Sequence, residues 1–521
     1  MDSRVESCGG ALACDTEGKA RTYRRHRPEE SVLYRVVQEH LGGFLDAARG
    51  SASAPLPRYV CKTFEEYLRC GRLEHGFVRA YCAGCATSRL VGFSCKRRGV
   101  CPSCNARRMC DHAAHLVDAV LPDVPVRPWV LSFPFAWRVP LARDAALLRQ
   151  VIRVFAREIE RAVCGPRAGG ARRRGGAVTY VQRFGGSLNL HVHLHVLVLD
   201  GYYEEDLATG VLRFVRTAPP GPAALHALLE RVATRCVSAA ERRARARTAA
   251  GEPAREDPEV PDAVDACQRL ALERGRFARG ASDAGARVHE AAFRLRAPGR
   301  WGASVEGFDL HAGVCVEAGR RDVLERLCRY VARPPFALER LRAGPDGLLH
   351  YACKAGRAGV VKVRVLEPAE LLARLAALIP PPRYPDLRYH GVLAPNAPWR
   401  ARVVPTRARP REPGCGAGPT GPCGGVRATD ASPPEVTTEP SAPGRDDGAT
   451  SRTTPGGRIP WAELLRRIHG VDALACPRCG TRMQPIAVVT DAATARAILT
   501  AVGPEGTGPP TPRRRLAHAT S

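Results

Sequence analysis

The sequence predicts an α+β chain. Paired strands are set among amphipathic helices, with a small cysteine-rich domain near the N-terminus and a CxxC segment near the C-terminus. Three observations predict it. Val178–Phe184 and Leu188–Leu199 are rich in strand formers, and Gly185–Gly186 between them reads as a hairpin turn. Apolar residues recur at helical spacing at Val32, Val36, Val37, Leu41, Phe44 and Leu45, and again over Asp144–Val163 and Asp322–Val331. Eight of the 20 cysteines crowd into residues 58–112. In a chain expected to be cytoplasmic, such spacing points to metal rather than disulfides.

The other elements follow in order. Residues 126–136 (VRPWVLSFPFA) read as a strand, Arg172–Gly176 as a basic flexible loop, and Ala223–Arg247 as a helix. Residues of about 205–300 include an acidic, proline-marked stretch and an arginine-rich one, and read as an insertion or lid rather than core. Residues 304–316 alternate like a strand, and Pro334–Pro335 stops the helix that follows. Leu349–Val365 reads as two short strands, Pro368–Ile379 as a helix, and Trp461–Ile468 as a short helix leading into Cys476-Pro-Arg-Cys479. The expected organisation is a tail and helix over 1–57, a zinc-binding, DNA-binding domain over 58–112 and a main domain over 113–400. A linker without a core covers 401–457, a CxxC mini-domain 458–502 and a tail 503–521.

The chain has 521 residues, with 79 Lys+Arg against 52 Asp+Glu and a net charge of +27. The length suits several domains, and a 45% apolar fraction excludes wholesale disorder. The positive excess predicts a polyanionic partner, nucleic acid before membrane. No apolar run is long enough to span a bilayer, so no membrane span is expected, and the motifs below remove the need for a membrane partner.

Cys82-Ala-Gly-Cys85 and Cys101-Pro-Ser-Cys104 are two CxxC pairs, the spacing of a tetrahedral structural zinc site. Cys61, Cys70, His75, Cys95, Cys110 and His112 surround them. Lys96, Arg97, Arg98, Arg107 and Arg108 lie in the same stretch and suit phosphate contacts, which position DNA without reading it. Cys476 and Cys479 supply only two ligands of a possible second zinc. His469, or Cys415 and Cys423, or another subunit, are candidates for the rest.

Asn189-Leu-His191-Val-His193-Leu-His195 places three imidazoles on one face of a strand, with Val192, Leu194 and Val196 on the other. This is a divalent-metal face. Imidazole suits Zn, Mn, Co or Ni, and Mg would need added oxygen ligands. The third ligand is open between His191, Asp309, His311 and Gln182. A metal could polarise a phosphate oxygen, with either water or a side chain as nucleophile. Tyr330 is the candidate nucleophile, beside Arg329 and Arg333, which could hold the scissile phosphate. A free phenol titrates near ~10, so it needs a cationic or base-assisted setting. Tyr202 and Tyr203 are its rivals.

Several stretches together resemble the HUH-type tyrosine transposases of rolling-circle insertion sequences that carry an N-terminal zinc-binding domain. They are CAGC…FSCKRRGVCPSCNARRM (82–109), WVLSFPF (129–135), LNLHVHLHVLVLDG (188–201), VEGFDLHA (305–312), RLCRYVARPPFALERL (326–341), RYHGVLAPN (388–396) and WAELLRRIHGVDALACPRCGTRM (461–483). The resemblance implies a five-stranded antiparallel HUH nuclease sheet with flanking helices. It implies that His193 and His195 hold a catalytic metal, with Mg or Mn expected. It further implies that Tyr330 attacks a DNA phosphate, giving a 5′-phosphotyrosine link and a free 3′-OH. Some relatives carry two tyrosines four apart. Pro334 stands at the second position here, so a single nucleophile is expected.

The expected function is therefore a metal-dependent nickase and strand transferase acting on single-stranded element ends. A replication initiator or relaxase of the same fold is one alternative. A catalytically decayed zinc-dependent DNA-binding protein is the other. There is no Walker A pattern, so unwinding would fall to a host helicase.

Overall fold

The structure is a computed structural model. It describes residues 27–166, 171–250, 262–273, 275–277, 301–353, 362–384, 386–405, 461–469 and 471–502. Most of the expected linker, the terminal tails, Cys415 and Cys423 lie outside these residues.

Six strands build the central sheet: β1 (Val126–Ser132), β2 (Gly176–Phe184), β3 (Leu190–Leu199), β4 (Gly302–Val305), β5 (Phe308–His311) and β6 (Leu387–Gly391). Their order is β4-β5-β1-β3-β2-β6, and every neighbouring pair is antiparallel. The sheet has one strand more than the resemblance implies. Residues 304–316, expected as one strand, instead turn back at Glu306 and Gly307, whose φ angles are 47° and 80°. That turn makes the edge hairpin β4–β5.

β3 is buried along its whole length. Val192, Leu194 and Val196 enter one core with Leu148, Val151, Ile152 and Phe155 of the helix Ala145–Cys164. Leu197 and Leu199 enter a second core on the opposite face. There they meet Leu116 and Val117 of the helix Pro102–Ala119 and Leu324, Cys328 and Val331 of the helix Arg321–Val331. Helices therefore cover both faces of the sheet. The second core seats the helix carrying Tyr330 directly over the histidine side of β3.

Two local expectations are corrected. Part of the stretch 205–300 belongs to the core rather than to a lid. Leu225, Leu228, Leu229 and Val232 of the helix Pro222–Ala249 are buried in the first core. They form an amphipathic stripe that the arginine-rich composition around them obscures. The fully buried Glu158 accepts from Arg161 at 2.7 Å and Arg231 at 3.0 Å, and also pairs with Arg235. This ties Pro222–Ala249 to the helix Ala145–Cys164.

Within the expected basic loop Arg172–Gly176, Ala171–Arg174 is a strand paired with Gly201–Asp206. Arg172 and Arg173 lie opposite Glu205 and Glu204, and cross-strand charge pairing favours the strand.

The C-terminal segment does not form a separate mini-domain. Its strand Gln484–Val489 pairs with Phe77–Tyr81, which also pairs with Ser88–Gly92. Val489 and Ala495 share a small core with Leu73, Phe77 and Leu90. Among the described residues, no helix is long and apolar enough to cross a membrane.

Candidate active site and metal centres

Sheet register assembles the candidate site. On β3, His193 lies opposite Gln182 of β2 and Ser132 of β1, and His195 lies opposite Tyr180 and Val130. Asp309 is one strand further out, opposite Ser132. Gln182 is therefore His193's direct neighbour, whereas Asp309 stands two strands, about 10 Å, away. Adjacent imidazoles touch along β3: His191 stacks on His193 with ring centroids 4.7 Å apart, and His193 meets His195 edge-on at 4.9 Å.

His193 Nδ1 lies 3.0 Å from the carbonyl oxygen of His191. A carbonyl can only accept, so Nδ1 carries the proton and Nε2 keeps its lone pair. Burial pushes His193 down to about 4, with the charges of Arg333 and Arg138 adding to the effect. Burial likewise depresses His191 and His195. All three rings are thus neutral near pH 7, the form that ligates metal. Among the described residues, His195 Nε2 and Gln182 Oε1 are buried without a hydrogen-bond partner, and both are atoms of a kind that can ligate a cation.

The three histidines do not close on one point. Among the described residues, two groups bring four ligand atoms within 4.8 Å of one another, and both are all-cysteine. His191 and His195 stand on either side of His193, one ring spacing away at 4.7 and 4.9 Å. An adjacent pair can share an ion more readily than the trio, and Tyr330 stands on the His195 side of His193.

Tyr330 lies beside this pair. Its ring stands perpendicular to that of His195 with centroids 6.1 Å apart, and the residue is 46% exposed. Arg333 Cζ lies 4.6 Å from the Tyr330 ring centroid. Gln182 Nε2 donates to the carbonyl of Val331 at 2.6 Å, which fastens the end of the tyrosine helix to the sheet. The rival tyrosines are on the strand Gly201–Asp206. Arg173 covers Tyr202, with Cζ 5.0 Å from its ring. Tyr203 packs on Phe214 at 5.3 Å, and burial pushes its hydroxyl up to about 12.

The cysteines form two sites, and not from the partners expected. Cys82 and Cys85 meet Cys476 and Cys479, while Cys101 and Cys104 meet Cys70 and Cys95. The hairpin explains why Cys82, Cys85, Cys101 and Cys104 do not make one site. Cys82 to Cys85 form the connection between Phe77–Tyr81 and Ser88–Gly92. The second strand then runs five residues, ~17 Å, to the far end. There the amide of Gly71 bonds the carbonyl of Phe93 at 2.8 Å, which brings Cys70 and Cys95 to Cys101 and Cys104. Sγ–Sγ distances in this group are 3.5 to 3.7 Å. A tetrahedron with Zn–S bonds of about 2.3 Å has edges of roughly 3.8 Å.

A family model described as "Transposase zinc-binding domain", of IS91 type, matches residues 36–133. A second, described as "Putative transposase", matches residues 176–400. The chain is a rolling-circle-type transposase with an N-terminal zinc-binding domain. No curated protein and no solved structure matches it. The zinc-domain match and the cysteine groups support structural zinc in this transposase, and the two matches support a transposase function.

The cations of the transposase expected at DNA divide into two sets. Arg97 pairs with both carboxylate oxygens of Glu66, at 2.5 and 2.6 Å. Arg98 pairs with Asp386 and donates to the carbonyls of Pro381 and Tyr384. Both are committed to internal contacts. Arg108 donates to the carbonyl of Lys96 at 2.7 Å. Lys96 and Arg107 are exposed, while Arg329 and Arg333 are half-buried on or just beyond the tyrosine helix.

Two site residues escaped the sequence reading in different ways. Gln182 ranked low because nothing local marks it, and only register makes it His193's neighbour. Arg138 was missed altogether. It is 8% exposed, burial pulls its guanidinium down to about 10, and its charge reaches His191 and His193. The one signal it carried was its place directly after the WVLSFPFAW run.

Proposed function

We propose that this transposase nicks single-stranded DNA through Tyr330 in an HUH-type active site and rejoins the ends by strand transfer. The observation that carries the reading is the convergence of Tyr330, Arg333 and His195 over the face where His193 and Gln182 also lie. In this proposal His193 Nε2, His195 Nε2 and Gln182 Oε1 would hold a divalent cation, Mg or Mn. When bound, that cation supplies Lewis-acid polarisation of the scissile phosphate.

Tyr330 loses its phenolic proton and its oxygen attacks phosphorus. The bond from phosphorus to the 3′ oxygen breaks, and the leaving oxygen takes a proton to become a free 3′-OH. The 5′ phosphate stays on Tyr330, so one phosphodiester becomes one phosphotyrosine bond and no nucleotide cofactor is required. Attack by a second 3′-OH reverses the step on a new strand. In this reading Arg333 and Arg138 compensate charge on the phosphate as the transition state forms. Single strands suit a half-exposed tyrosine beside a buried metal face, because the phosphate must reach both.

The test is adduct mapping. Single-stranded DNA from the flanks of the gene is incubated with the purified chain and Mn²⁺ or Mg²⁺. The expected product is a covalent DNA–peptide adduct at Tyr330, absent in Tyr330→Phe. An adduct at Tyr202 or Tyr203 overturns the nucleophile assignment. Uncut DNA that behaves identically with wild type and Tyr330→Phe overturns nicking.

A further inference from the structure

We propose that Cys82, Cys85, Cys476 and Cys479 bind a second structural zinc ion, which clasps the C-terminal segment onto the N-terminal domain. Neither Cys476 nor Cys479 falls within either matched segment. The four Sγ atoms lie within 4.8 Å of one another, with Cys82–Cys479 and Cys85–Cys476 each at 3.4 Å. That is close to the edge of a tetrahedral thiolate site.

The two CxxC turns are copies of each other in detail. The amide of Cys82 donates to the carbonyl of Thr87 at 2.9 Å, and the amide of Cys476 donates to the carbonyl of Thr481 at 2.9 Å. Cys85 Sγ lies 3.3 Å from Thr87 Oγ1, and Cys479 Sγ lies 3.3 Å from Thr481 Oγ1. The residue after the second cysteine is left-handed in both, with φ 54° at Ala86 and 74° at Gly480. Two facing turns of one geometry present four sulfurs to a common centre. A redox pair within CPRC would need neither the second turn nor its alignment. Thiolate ligands in this arrangement select a soft or borderline cation, zinc before Mg or Ca.

The clasp has a consequence beyond its own fold. The helix Trp461–His469 precedes it and packs Leu464 against Met109, Cys110 and Ala114. Arg467 of that helix reaches Asp118 at 2.5 Å and Glu325 at 2.7 Å. Glu325 is on the helix that carries Tyr330. Zinc at the clasp thereby anchors a positioning contact on the tyrosine helix. This consequence for nicking rests on the function proposed above, whereas the metal site does not.

The test counts zinc in the purified full chain by elemental analysis. Wild type is expected to hold about two ions, and Cys476→Ser/Cys479→Ser about one. One ion in wild type, or a double variant as loaded as wild type, overturns the clasp. Cobalt substitution of the wild-type chain needs no variant to fold. It should give thiolate-to-cobalt charge transfer that saturates at about two equivalents, and saturation at about one overturns the clasp. Loss of zinc in the double variant with normal nicking would confine the clasp to a structural role.

Discussion

Gln182 shows how much one side chain can settle. Its amide nitrogen bonds the carbonyl of Val331, and its oxygen is left buried beside His193. One residue thus serves the proposed metal site and holds the helix of the proposed nucleophile in place. Gln182→Ala is expected to weaken Mn²⁺-dependent nicking by about 10–100-fold, the scale found when groups supporting a metal site are removed. Asp309→Ala is expected to change it little, because Ser132 stands between Asp309 and His193. The reverse pattern in a Mn²⁺ titration of nicking would transfer the third ligand to Asp309. No signal in the sequence separates these two residues, since both are polar positions on strands.

The elements form for local reasons, and most were legible. Asp144 caps the helix Ala145–Cys164 by accepting from the amides of Ala146 and Leu147 at 2.8 and 3.0 Å. It also pairs with Arg243 of the helix Pro222–Ala249. Asp144→Ala is expected to cost about 1–2 kcal/mol, because two orphan amides lose their acceptor. Thermal or urea unfolding checks this, and an unchanged midpoint would show that the cap is idle. The helix Pro222–Ala249 lies inside the stretch expected as an insertion or lid, but not all of its arginines face solvent. Those at 231 and 235 turn inward to Glu158 instead. Charge count alone does not distinguish an arginine that faces solvent from one that neutralises a buried carboxylate.

Over the whole molecule, many of the 79 basic side chains are paired within the chain, while the net excess of +27 stands. Arg127 pairs with the buried Asp200, Arg143 with Asp262 and Asp265, and Arg173 and Arg213 with Glu204. Arg97 and Arg98 do the same in the zinc-bearing domain. The cations best placed for DNA are Lys96, Arg107, Arg329 and Arg333. With those four, log K for single-stranded DNA should fall with log salt at a slope of about −3. Equilibrium binding between 50 and 300 mM salt, on the order of the usual range, measures it. A slope steeper than about −8 would show that many more arginines meet phosphate.

By itself the sequence determined what local spacing controls. The histidine strand, the tyrosine helix, the hairpin at Gly185–Gly186 and the CxxC turns all depend on residues a few positions apart, where strand and helix periodicity act directly. Tertiary structure decided what meets across distance. It set Gln182 rather than Asp309 beside His193 by strand register, and brought Tyr330 to His195 through a shared core. It also re-paired the cysteines, because a hairpin sends its two ends apart and the last described strand returns to the first sheet. Spacing along a chain fixes which groups share a face. Only folding fixes which faces come together.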